Sequence, residues 1–158
     1  MSVTTDIVQS WRSPRIVVRR LLKRGPSETF VLTFLLIFLV LAFAAAAPNL
    51  ARAAYLDPTV PLTQRLYAAG LGLLATVPIW YLLASLGHLI ARAFGGKGSH
   101  FGARLALFWA LVVIAPAMLL HGLVLGLAGN TTATMLLGGA VAAGFLVFWI
   151  VMLREVER

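Results

Sequence analysis

Residues 92–104 read Arg92-Ala-Phe-Gly-Gly-Lys-Gly-Ser-His-Phe-Gly-Ala-Arg104, and this stretch decides the fold of the chain. It is the one polar break between two long apolar runs, each of which carries a proline near its middle. Glycine permits the backbone conformations of a tight turn, and cations are favoured beside lipid headgroups. We therefore expect the chain to reverse here at a membrane surface, with Gly95 or Gly96 at positive φ as a helix stop.

The composition is that of an integral membrane protein. The chain has 158 residues, of which 61% are apolar and 11% are charged, whereas soluble proteins average about 25% charged residues. So few charges cannot cover the surface of a soluble domain of this size. The absence of cysteine excludes disulfides, thiolate metal sites and cysteine nucleophiles.

Four apolar segments predict an all-α, integral membrane four-helix bundle. Each is long enough to cross a hydrocarbon core of about 30 Å at 1.5 Å per residue. Turn signals at Pro48-Asn49 are expected to end the first segment. The four-span domain covers residues 30–158, with spans at about 30–47, 66–94, 103–127 and 133–153.

Residues 1–29 precede the first span and are predicted to form a basic interfacial arm. Val17, Val18, Leu21 and Leu22 follow the spacing of one helical face, and arginines and lysine occupy most of the remaining circumference. Such a helix is expected to lie in the headgroup plane with its apolar face in lipid. The cations expected to contact anionic headgroups are Arg15, Arg19, Arg20, Lys23 and Arg24 in the arm, and Arg92, Lys97 and Arg104 in the loop.

Small residues and two prolines are expected to shape the bundle. Glycines let helix backbones approach closely in a membrane, and the packing positions we predict are Gly70, Gly122, Gly126, Gly139 and Gly144. The alanine-rich end of the first span, 44–47, is expected to admit another helix in the same way. Pro78 and Pro116 lie near the middle of their spans, where proline kinks a helix.

Each of the two central spans carries one histidine, His88 and His121. By helix rise the two are separated by roughly 15–20 Å along the membrane normal, too far to share one metal ion. We expect interhelical hydrogen bonds from them to a backbone carbonyl, Ser85 or Thr76. Whether either histidine ligates a pigment is left open, and His100 in the loop is expected to be solvated.

No catalytic constellation, metal site or cofactor site is predicted. The spans contain no carboxylate, so an intramembrane proton relay and an aspartyl dyad are excluded. The Gly-Gly-Lys-Gly-Ser run superficially resembles a phosphate-binding loop, but it follows a membrane helix and lacks the first glycine. The arm has no interleaved aromatic residues at stacking spacing, so we expect no nucleic-acid partner despite the net charge of +8.

Basic residues are distributed unequally between the two sides of the four-span arrangement. Eleven of the 13 lie in the arm, the 92–104 loop and the C-terminal tail, and two, Arg52 and Arg65, lie on the other side. The positive-inside rule places both termini in the cytoplasm, with the protein in the bacterial inner membrane.

The run Ile90-Ala-Arg-Ala-Phe-Gly-Gly-Lys-Gly-Ser99, followed by an apolar span with Pro116, resembles the bacterial branch of the Yip1 family. The basic helix between Ser13-Pro14 and Gly25-Pro26 is similar as well. The resemblance implies a small helical membrane bundle with a cytoplasmic N-terminus. Eukaryotic relatives act in vesicle traffic, bind Rab-type GTPases and often have five spans. This chain has four predicted spans and a short arm, so GTPase binding is not carried over to it.

Two functions are compatible with the sequence. The first is a non-enzymatic scaffold, assembly factor or accessory subunit that associates laterally with other membrane proteins. The alternative is a small oligomeric transporter or channel organised around the Pro78 and Pro116 kinks.

Overall fold

The computed structural model describes residues 3–158, and every regular element in them is an α-helix. Four segments are long and apolar enough to cross a membrane: α3, α4 together with α5, α6, and α7. This confirms the predicted all-α class with four spanning segments preceded by short helices. The helices are α1 (Val3–Arg12), α2 (Pro14–Leu22), α3 (Glu28–Leu56), α4 (Leu62–Ala75), α5 (Val77–Ala93), α6 (His100–Ala128) and α7 (Thr132–Val156).

The N-terminal half of α6 forms the core of the bundle. Residues 105–115 are all buried, and Phe108 and Trp109 are among the largest fully buried side chains. Helices α3 and α7 make the most extensive contacts with α6, and α1, α2 and α5 also pack on it. We call the end of the bundle where α5 ends and α6 begins the basic end, and the opposite end the far end.

The first spanning helix is longer than predicted. Helix α3 continues through Pro48 to Leu56, so the expectation of a helix end at Pro48-Asn49 is wrong. Proline costs a helix one hydrogen bond, and packing against a neighbouring helix can offset that cost in a membrane. Here α6 lies directly against this turn, because a Cβ built on Gly126 would lie 2.4 Å from the Cβ of Pro48.

Pro78 does not lie in the middle of a helix. The second spanning segment is divided at Thr76, and Pro78 lies in the first turn of α5. A proline there costs little, because the first N–H groups of a helix have no intrahelical acceptor. The Thr76 hydroxyl donates to the Leu73 carbonyl (2.6 Å) and accepts from the Trp80 indole N–H (3.0 Å), which stabilises the division. The predicted mid-helix kink is therefore a junction of two helices.

Pro116 lies inside a continuous α6, and the Trp11 side chain contacts the turn before it. Pro116 leaves the Val112 carbonyl without its helical donor and loosens that turn. The Trp11 indole N–H donates to the next carbonyl, that of Val113, at 3.0 Å. Trp11 thus packs against the middle of α6.

The basic arm folds onto the bundle. Val17, Val18 and Leu21 are at most 1% exposed, because α2 packs on α7 and α6. The amphipathic helix is present as predicted, but protein covers its apolar face where lipid was expected. Ile16, the apolar residue outside that face, is 58% exposed.

The predicted packing glycines differ in what surrounds them. A Cβ on Gly122 would lie 2.1 Å from the Ala45 carbonyl oxygen, so α3 and α6 approach closely at the alanine-rich segment. A Cβ on Gly144 would lie 3.3 Å from the Ile114 side chain, and a Cβ on Gly70 would lie 3.7 Å from the Phe43 side chain. Nothing lies within 4 Å of the position on Gly139, which therefore has no packing role within the described chain.

Candidate functional site at the basic end

The loop between α5 and α6 begins with a glycine helix stop. Gly95 has φ of +89°, which confirms the predicted conformation. The Gly96 N–H donates to the Ala91 carbonyl at 2.9 Å and satisfies one of the free carbonyls at the end of α5. Ser99 then caps α6 by accepting from the Gly102 N–H at 3.1 Å.

Hydrogen bonds to the residue after α7 hold this loop in place. The Lys97 N–H donates to the Glu157 carbonyl at 2.7 Å, and the Gly98 N–H donates to Glu157 Oε2 at 3.1 Å. A Cβ on Gly98 would lie 2.4 Å from the Val156 carbonyl oxygen, so the backbones approach too closely for any side chain there. The loop is therefore tied to the C-terminal end of α7, a contact that its turn chemistry did not predict.

A buried histidine–carboxylate pair joins α5 to the segment after α7. His88 Nδ1 lies 2.6 Å from Glu157 Oε1, and the two side chains are 2% and 4% exposed. The His100 ring lies 4.2 Å from the His88 ring, centroid to centroid, while His100 itself remains exposed. The expectation that His88 bonds a backbone carbonyl, Ser85 or Thr76 is therefore wrong. His88 and Glu157 are 69 residues apart in the sequence, so no local pattern could indicate that they pair.

All five carboxylate side chains of the chain lie within ion-pair distance of an arginine or a histidine. Buried carboxylates in particular are expensive unless paired, which explains why Asp6, Glu155 and Glu157 are all matched. The other pairs are Asp6 with Arg20, Glu28 with Arg104, Asp57 with Arg65, and Glu155 with Arg19 and Arg158.

The cations that were predicted to contact headgroups fall into two groups, those that contact the protein and those that are exposed. Arg19, Arg20 and Arg104 bind carboxylates of the protein, and the Arg24 guanidinium lies 5.4 Å from the centre of the Phe30 ring. The remaining four are exposed, and within residues 3–158 no ion pair of their side chains is found: Arg15, Lys23, Arg92 and Lys97.

A second buried polar network connects the arm to the core. The Trp109 indole N–H donates to the Ser10 hydroxyl at 3.0 Å, and that hydroxyl donates to the Asp6 carbonyl at 2.8 Å. Asp6 Oδ1 accepts from Arg20 at 2.5 Å, which links α1 to α2. The sequence reasoning missed this network, because none of its residues stands in a recognisable motif.

His121 bonds a backbone carbonyl, as expected. Its Nε2 lies 3.1 Å from the Thr134 carbonyl oxygen near the far end of the bundle. It does not approach His88, and no group of three histidine, aspartate or glutamate side chains within residues 3–158 is arranged to hold a metal ion.

A cleft of about 780 Å³ opens between α5 and α7 at the basic end. Its walls are mostly apolar, and its rim carries three cations. The wall includes Ile90, Phe94, Trp149, Ile150 and Leu153, and the rim includes Lys97, Arg154 and Arg158. Glu157, the one carboxylate side chain among the lining residues, is already bound to His88 and the Gly98 N–H.

Four long apolar segments, one of which is the partly buried α6, define a multi-pass helical membrane protein. The Yip1 domain model matches residues 8–156, which is nearly the whole chain, and the chain belongs to the Yip1 family. Proteins of this family are generally non-enzymatic membrane proteins. Searches of curated proteins and of solved structures found no match.

Proposed function

We propose that this Yip1-family protein is a non-enzymatic scaffold, assembly factor or accessory subunit that works by lateral association with other membrane proteins. One observation carries the proposal: α7 presents small residues that no part of the described chain covers. Gly139, Ala140 and Ala143 are exposed, and Gly139 has no atom within 4 Å of its Cβ position.

The contrast with the other glycines supports this interpretation. Apolar side chains gain little by leaving lipid for a helix interface, so spans associate where small residues let backbones approach. Gly122 and Gly126 serve this purpose between α3 and α6. The small face of α7 is the same kind of surface, still available to a neighbouring chain.

The test is native mass spectrometry of tagged protein purified in a mild detergent. We expect a stable complex with another membrane protein, which Gly139→Leu disrupts. Gly72→Leu on α4 is a matched control, because nothing lies within 4 Å of the Gly72 Cβ position either. Equal complex yields from both variants would count against α7 as the contact surface.

A different result would support transport. If the protein purifies only as a homo-oligomer, and that oligomer conducts a solute in liposomes, the lateral-association proposal is wrong. The division of the second span at Thr76 would then be the first place to look for a pathway, because broken helices line many transport sites.

We further propose that the protein resides in a bacterial inner membrane with the basic end in the cytoplasm. Eleven of its 13 basic residues lie in the arm, the 92–104 loop and the tail, as the positive-inside rule requires. Alkaline phosphatase fused after Asn130 should be active and the same fusion at Ser99 inactive. The reverse pattern would overturn this orientation.

In that orientation the exposed cations Arg15, Lys23 and Arg92 would face anionic headgroups, which attract basic residues beside the membrane. The triple variant Arg15→Glu, Lys23→Glu, Arg92→Glu should lower the preference of the protein for vesicles containing phosphatidylglycerol over neutral ones. An unchanged preference would exclude this role.

A further inference from the structure

We infer that the cleft between α5 and α7 binds one anionic phospholipid, with an acyl chain on the apolar wall and the phosphate at the cationic rim. The inference concerns a discrete site for a single lipid, and it holds whether or not the chain has a protein partner.

The shape and position of the cleft match a lipid. It is open along the side of the bundle between two spanning helices, so a lipid can enter from the bilayer without crossing the protein. Phe94 is 89% exposed and Ile90 is 52% exposed, so the apolar wall is continuous with the lipid-facing surface of α5. A water-soluble ligand has no apolar part to pack on this wall, whereas the acyl chain of a bound phospholipid can cover it.

The charges of the rim select an anionic headgroup. Lys97 and Arg154 are exposed, and no ion pair of their side chains occurs within the described residues. The Arg158 guanidinium also forms an ion pair with Glu155, because its Nη1 atom lies 3.7 Å from Glu155 Oε2. Glu157 is the one carboxylate among the residues that line the cleft, and its oxygens face His88 and the Gly98 N–H, so three cations outnumber one carboxylate there. A phosphodiester is therefore attracted to the rim, and a zwitterionic headgroup is attracted less.

One polar group of the wall lacks an acceptor. The indole N–H of Trp149 is buried and has no hydrogen-bond partner within residues 3–158. Its ring lies against α5, with a ring carbon 3.0 Å from the Cβ position of Gly87. Buried donors are normally satisfied, so the wall of the cleft contains one donor that the described chain leaves without an acceptor.

The direct test counts bound lipids by native mass spectrometry after reconstitution with equal amounts of phosphatidylglycerol and phosphatidylcholine. We expect one phosphatidylglycerol to be retained per chain. The variant Lys97→Gln with Arg154→Gln should lower its retention by about tenfold or more, because each cation near the surface contributes to headgroup attraction. The control Arg12→Gln with Arg52→Gln removes the same number of charges from positions outside the cleft and should retain the lipid.

Three outcomes would overturn the inference. These are equal losses in both double variants, equal retention of the two lipids, and displacement of the lipid by soluble glycerol phosphate. The last would mean that the rim binds phosphate and that the wall holds no acyl chain.

A second measurement uses the unaltered chain and so does not depend on the variants folding. A photoreactive phosphatidylglycerol, with its reactive group on the acyl chain, should label peptides containing Phe94 and Ile150. Labelling concentrated on α4, where an apolar groove lies against α3, would place the lipid elsewhere and contradict the inference.

Discussion

The Nδ1 atom of His88 lies 2.6 Å from the Oε1 atom of Glu157, and this contact connects the fifth helix to the last residues of the chain. Both side chains are almost fully buried. The second oxygen of Glu157 holds the loop through the Gly98 N–H, so one carboxylate joins three separate segments at the basic end.

Replacing Glu157 should loosen the basic end. Glu157→Ala leaves the His88 ring and the Gly98 N–H buried without their acceptor, and removing one partner of a buried pair costs about 3 kcal/mol or more. Glu157→Gln keeps a carbonyl oxygen for one of the two donors and should cost less. Thermal unfolding in detergent would rank the two variants against Arg92→Ala, an exposed residue on the same helix as His88. A Glu157→Ala melting temperature equal to that of Arg92→Ala would refute the structural role.

A methyl group at Gly122 should force α3 and α6 apart. The Cβ would lie 2.1 Å from the Ala45 carbonyl oxygen, which is backbone and cannot rotate away. We expect Gly122→Ala to destabilise the fold by about 1–3 kcal/mol, as overpacking in a core does. Gly139→Ala, where nothing lies within 4 Å, should be neutral or slightly stabilising, because alanine favours helix more than glycine does. The two should be compared by unfolding in mixed detergent micelles, and equal effects would show that the contact with Ala45 does not exist.

The arm should depend on the ion pair between Arg19 and Glu155. Arg19→Glu places two carboxylates together beside a buried position and should expose α2 to limited proteolysis. Arg19 is 62% exposed, so the cost is expected to be about 1 kcal/mol. Exchanging the charges with Glu155→Arg should restore protection at least in part. If the double variant is cleaved as fast as Arg19→Glu, the two side chains do not interact.

The far-end turn should weaken in acid through Asp57. Hydrogen bonds from Thr59, and secondly the neighbouring Arg65, hold the pKa of this carboxyl below its ordinary value. A depressed pKa means that the carboxylate stabilises the fold above the pKa of the unfolded chain and that this contribution is lost as pH falls through the folded pKa. Asp57→Asn should therefore be less stable than the wild type at neutral pH, and the difference should shrink under acid conditions. Unfolding measured from pH 7 to pH 2 checks this, and a constant difference would contradict it.

The spanning helices could be predicted because their signal is local. A run of apolar residues of sufficient length is enough to indicate a span, and Gly95 could be placed at positive φ because glycine is the residue that helix stops favour. The same local logic failed at Pro48, where the helix continues through the proline. Whether a proline ends, bends or begins a helix depends on what packs against it, and that information lies elsewhere in the chain.

The polar contacts of the basic end could not be predicted for a related reason. Nothing in the local sequence around Asp6, Glu155 and Glu157 indicates burial. Asp6 and Glu155 are buried where the arm packs on α6 and α7, and Glu157 is buried against α5 and the 92–104 loop. Periodicity identified the apolar face of α2 correctly, but it could not distinguish a face that meets lipid from one that meets protein.

The position of the arm has a consequence for biosynthesis. Helices α1 and α2 leave the ribosome before α6 and α7, yet those two later helices make the surface that the arm occupies. The arm must therefore wait for α6 and α7 to insert before it can dock. During that interval the bilayer surface can cover Val17, Val18 and Leu21, so a nascent chain and a folded one present the arm differently to their surroundings.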